Sequence, residues 1–101
     1  MKTKEQILGM ATAHPTPIEM PEWGGTFFIR QASAAEVERW AETVDERCAR
    51  AAMAALAVCD ADGVRLFADE DVEALSNQPF AVLNRIWQVA APLNGIASGN
   101  A

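Results

Sequence analysis

Pro21-Glu22-Trp23-Gly24-Gly25-Thr26-Phe27-Phe28-Ile29-Arg30, answered later by Val58-Cys59-Asp60-Ala61-Asp62-Gly63-Val64-Arg65-Leu66-Phe67, decides the fold class of this chain. Both stretches join turn residues to runs rich in β-branched and aromatic types. Gly24-Gly25 brings the backbone freedom a tight hairpin needs, and Ile18 and Met20 alternate around Glu19 on the approach, which predicts a first β-hairpin near residues 18–30. Asp60 to Gly63 is the turn of a second, running from Ala57 to Phe67. A lone two-stranded ribbon is marginal in water, so each must pack on helices or on another chain.

Helices fill the remainder. Ser33-Ala34-Ala35-Glu36 is a capping box, and behind it Val37, Trp40, Val44, Cys48, Ala51 and Ala55 recur at helical steps, predicting one helix over residues 34–57. Alanines at 49, 51, 52, 54, 55 and 57 make its second half narrow, the expected seam for a neighbouring helix. Asp69-Glu70-Asp71 opens a short helix through Leu75, and Asn77 with Pro79 opens another over 78–94. Phe80, Leu83, Trp87 and Ala90 form one stripe on that helix, and Val82, Ile86, Val89 and Leu93 a second beside it. So wide an apolar face is expected to exceed what one small core needs, and it predicts self-association through this helix, weakened by truncation of Trp87. Pro92 should stop or kink the helix, with Asn94-Gly95 as its C-terminal signal. At the start, Thr3-Lys4-Glu5-Gln6 has capping-box spacing for a short helix to Met10. Pro15, Pro17 and Pro21 mark Ala11 to Pro21 as an extended surface arm. The reading is an α+β, predominantly helical single domain with two short β-hairpins, residues 1–95, followed by a flexible C-terminal tail at 96–101.

Composition narrows the function. With 101 residues, 50% hydrophobic and 22% charged, the chain suits one domain with one core. Its net charge of −6, from 14 acids against 8 scattered bases, argues against nucleic acid as a partner. Met1 to Met10 holds neither a signal-peptide apolar run nor a membrane span, so no membrane partner is expected and the location read is the cytosol.

The residues offer no chemistry. Cys48 and Cys59 lack a metal or redox spacing and read as small buried hydrophobes. The single histidine, His14, leaves a zinc site short of ligands, and no cofactor or metal is expected. Asp60-Ala61-Asp62-Gly63 has the opening of a calcium loop, but Asp71 stands where the closing Glu belongs; turn chemistry accounts for it. Ser33 is an N-cap without nucleophile-elbow glycines, and Asp69, Glu70, Asp71 and Glu73 suit a helix start for electrostatic reasons alone, so no catalytic residue is assigned. Large side chains remain as candidates. Trp40 reads as core, while Trp23, Phe27, Phe28, Phe80, Leu83 and Trp87 are the candidate protein-interface residues.

Taken in order, the opening Met1 to Leu8, the Pro21-Glu22-Trp23-Gly24-Gly25 turn, the acidic helix after Ser33, the Val58 to Phe67 segment with Asp69 to Leu75, and the closing Leu93-Asn94-Gly95 resemble the tail assembly chaperones of long-tailed, siphophage-type bacteriophages and prophages. The resemblance implies a non-catalytic factor of the host cytoplasm. Such a factor binds the tape measure protein, keeps it soluble, promotes recruitment of the major tail protein, and is absent from the mature virion. Members of that family commonly exist also as a longer, frameshifted product. The alternative is a small structural tail or connector protein of the virion.

Overall fold

The computed structural model describes residues 3–8 and 14–96. Its centre is the alanine-rich segment, where α3 (Ala49–Ala57) buries Ala51, Met53, Ala54, Ala55, Leu56 and Ala57. Methyl side chains let neighbours approach closely, and α5 (Phe80–Leu93) lies along this seam, with α4 (Val72–Leu75) also against it.

The single helix expected over 34–57 is two helices. α2 (Ala34–Thr43) ends at Val44, whose ψ of 136° is extended, and a 3-10 turn at Glu46–Cys48 leads into α3. The β-branched pair Thr43-Val44 has weak helix preference, and the Asp45 carboxylate accepts the Arg47 amide at 2.9 Å, starting the chain afresh. The break leaves α2 at the periphery with no fully buried residue, whereas α3 turns inward.

Three short strands form one antiparallel sheet in the order β1 (Thr16–Met20), β2 (Gly25–Ile29), β3 (Val58–Cys59). The first hairpin stands where the Gly-Gly turn placed it, closed by a 3-10 turn at Pro21–Trp23 and by Gly24 at φ 91°. It corrects the surface-arm reading, because the arm becomes strand from Thr16 onward and its Ile18 and Met20 are buried in the core. Pro17 is tolerated because β1 is an edge strand. The part of that arm at residues 11–13 lies outside the described residues.

The second hairpin is reduced to its turn and one bridge, Cys59 to Arg65. Asp60 holds the turn by accepting the amides of Asp62 and Val64 at 2.8 and 3.0 Å, and Gly63 adopts φ 84°. Instead of pairing chiefly with its own return arm, β3 pairs with β2, Ile29 opposite Val58 and Phe28 opposite Cys59. The class is α+β, mainly helical, with a sheet of three strands.

The end of α5 is a Schellman closure around Gly95 at φ 76°: the Ile96 amide donates to the Ala91 carbonyl at 2.8 Å and the Gly95 amide to the Pro92 carbonyl at 3.1 Å. The helix runs through Pro92 to Leu93 before it ends. Ile96 packs against the core, and residues 97–101 of the expected tail lie outside the described residues. α1 (Lys4–Leu8) has the expected capping box, with Thr3 and Gln6 exchanging bonds, and buries nothing. Met10 is outside the described residues.

Candidate protein interface

Three arginines, Arg30, Arg65 and Arg85, fasten separate elements, while Arg47 acts within its own turn. The Arg30 guanidinium donates to the Leu56 carbonyl at 3.0 Å and to both carboxylate oxygens of Glu36 at 3.2 and 2.8 Å. Glu36 in turn closes the Ser33 capping box, so the C-terminus of α3 and the N-terminus of α2 are tied through one side chain. Arg30, followed by the Ser33 amide, holds the Glu36 carboxyl down at about 2 from its ordinary 4.5. Arg65 places two donors on the Ala55 carbonyl at 2.9 and 2.7 Å and pairs with Asp69 at 3.1 Å, a cation at the negative end of the α3 dipole. Arg85 grips Glu22 with two bonds of 2.8 and 2.9 Å, joining α5 to the hairpin turn and holding that carboxyl at about 2. Arg47 pairs with Asp45.

The six candidate interface residues do not gather into one surface. Trp23 packs edge-on against Phe27 at 5.4 Å and Phe67 at 5.8 Å, and its indole N–H donates to Gln78 at 3.1 Å. That cluster closes the hairpin over the core. Phe28 takes the opposite sheet face, level with Pro17 and Cys59. Leu83 is only 6% exposed and fills the core beside α3, which corrects its reading as an interface residue: it lies on the inward side of α5.

Phe80 and Trp87 do belong together. Phe80 is 66% exposed at the start of α5, Trp87 lies half-buried further along the same helix, and the Arg50 guanidinium of α3 sits between them, 4.9 and 5.5 Å from the two ring centroids. Trp40 of α2 continues the strip, 6.2 Å from Trp87. Its indole N–H is buried and meets no acceptor among the described residues. The sequence reading overlooked Arg50; a clue was the match of its position to the helical stripe's flank, but its aromatic partners lie on another helix.

The apolar face of α5 proves less surplus than its two stripes implied. Val82, Leu83, Ile86, Ala90 and Ala91 are buried, Val89 and Leu93 are half-buried, and Phe80 is the large apolar side chain of this helix left to solvent. Other exposed large apolar residues are Ile7, Leu8, Val64 and Leu66. Beside Trp40, a groove of about 440 Å³ opens between α2 and the α3–α4 region, floored by Val44, Cys48, Ala52, Leu56 and Val72 and edged by Arg39, Arg65 and Asp69. Its floor is apolar and its edge carries both signs of charge, the composition of a protein-docking surface.

Cys48 is half-buried and Cys59 buried, both as free thiols, and burial pushes the Cys59 thiol up, away from reactivity. Among the described residues no group of three or more His, Cys, Asp or Glu side chains converges as metal ligands, and no helix is long and apolar enough to cross a membrane.

No protein-family model and no curated protein matches the chain. A solved structure does: that of the bacteriophage HK97 tail assembly chaperone, with a TM-score of 0.65 and 26% identity over 92% of this chain and 94% of that one. The two share one fold along nearly their whole lengths. The likeness supports the resemblance read from the sequence, a general role as a phage tail assembly chaperone, and protein partners in tail assembly.

Proposed function

We propose that this chain, which has the fold of a phage tail assembly chaperone, binds the tape measure protein in the host cytoplasm, keeps it soluble and promotes gathering of major tail protein on it, then leaves before the virion is complete. The observation that carries the reading is the likeness to the HK97 chaperone over nearly the full length of both chains. The surface is compatible with it: an apolar-floored groove of about 440 Å³ beside an aromatic strip suits a protein client. The role asked of the protein is binding, and the buried thiol and the arginine-held carboxylates Glu22 and Glu36 are fixed in structural duties rather than poised for catalysis.

Co-expression with a tape measure protein from the same genome tests this directly. The expected result is that the large protein stays in the soluble fraction with this chain present and aggregates without it. Equal solubility in both cases would refute the chaperone role. Mass spectrometry of purified particles then separates it from a structural tail or connector subunit, which would be found in the virion.

A further inference from the structure

We propose that the strip centred on Arg50, between Phe80 and Trp87, is the docking point for a carboxylate-bearing amphipathic helix of the client; the proposal rests on the chaperone reading and names the chemistry of its contact. In this acidic chain, Arg30, Arg47, Arg65 and Arg85 each hold a carboxylate of their own. Arg39 and Arg50 have none among the described residues, and of these two Arg50 is the one held by a neighbouring side chain. Its Nε donates to the Asn84 side-chain oxygen at 3.0 Å, which fixes the plane of the guanidinium, while Phe80 and Trp87 flank it at 4.9 and 5.5 Å. The two terminal nitrogens have no protein acceptor among the described residues.

A guanidinium oriented by one bond and shielded by two rings is prepared to take a carboxylate through its remaining donors, with less side-chain entropy left to lose than a free arginine. Phe80, 66% exposed, offers an apolar face directly beside that charge. The pair therefore fits a partner helix carrying Asp or Glu three or four positions from an apolar residue, since those positions share one face. Trp, Phe and Arg together, partly desolvated, also have the composition of a binding hot spot.

The test co-expresses the tagged chain with the tape measure protein and measures how much of the latter is retained. Four variants are compared with wild type: Arg50→Glu, Arg50→Lys, Phe80→Ala, and Val64→Ser as a control at an exposed apolar residue elsewhere. Arg50→Glu and Phe80→Ala should each weaken retention about tenfold or more, and Arg50→Lys by less, with Val64→Ser unchanged. Added salt should weaken the wild-type complex and should barely affect what binding Arg50→Glu retains. Thermal melting checks that each variant is folded; Phe80→Ala keeps the test valid if Arg50→Glu is not, because Phe80 is mostly in solvent. If wild type retains the client and both substitutions retain it equally, the strip is not the contact, though the chaperone reading stands. If wild type retains none, both fall. If the substitutions lower only the chain's own mass in sedimentation, the occupant is a second copy and the proposal is overturned.

Discussion

Trp40 shows how a single atom can oppose the packing around it. Its ring lies against Trp87, yet its buried N–H finds no acceptor among the described residues. An unmet buried donor costs about 1–3 kcal/mol, comparable with the apolar burial given up when indole is trimmed to benzyl. Trp40→Phe is therefore expected to change stability by less than about 1 kcal/mol in urea denaturation, in either direction. A loss well beyond that would mean the N–H is hydrogen-bonded in solution. Glu36 is the opposite case, a polar group satisfied from several sides. Its carboxyl is held at about 2 against an ordinary 4.5, by Arg30 first and the Ser33 amide next. A depressed folded value contributes stability that is present above the unfolded value and is lost as pH falls through the folded one. The melting temperature should accordingly decline from about pH 5 toward pH 2, and Glu36→Gln should flatten part of that decline while lowering stability at neutral pH. An unchanged acid profile in the variant would count against the pairing.

At the scale of elements, what was legible was local. The Gly24-Gly25 turn with its alternating flanks gave the first hairpin, and the Ser33 to Glu36 box gave the start of α2, because each device is complete within a few residues. The break at Val44-Asp45 was hidden since Trp40, Val44 and Cys48 keep their steps of four across it; the repeat records a shared inward side, not an unbroken backbone. Leu83, Arg50 and the pairing of β3 with β2 were hidden for another reason, as each depends on contacts between distant segments. Asn94 belongs with these. Read as a helix stop, it also clasps the chain after β2: its oxygen accepts the Ala32 amide at 2.7 Å and its nitrogen donates to the Arg30 and Ala90 carbonyls at 3.3 and 2.9 Å. Asn94→Ala removes all three and strands the Ala32 amide, so a loss of about 2–3 kcal/mol is expected in denaturant titration. A loss below about 0.5 kcal/mol, typical of a surface substitution, would show that the clasp is incidental.

Over the whole molecule, self-association is the property whose expected basis the structure changes. A wide free stripe on α5 was to supply the contact, but most of that stripe is buried inside the protein's own core, and Trp87, the residue one would first truncate, also supports Trp40 and Arg50. Trp87→Ala would confound assembly with folding. α1 offers a cleaner probe. It buries nothing, and its Ile7 and Leu8 are 56% and 74% exposed. A five-residue helix is too short to hold itself together in water, so its apolar side chains gain most if another chain covers them. The double substitution Ile7→Ser, Leu8→Ser should leave stability within about 0.5 kcal/mol of wild type, because no buried contact is touched. In sedimentation over a range of concentrations, wild type should exceed the monomer mass and the double variant should fall toward it. Wild type at monomer mass throughout would refute self-association, and a variant that assembles as wild type does would place the contact on another surface.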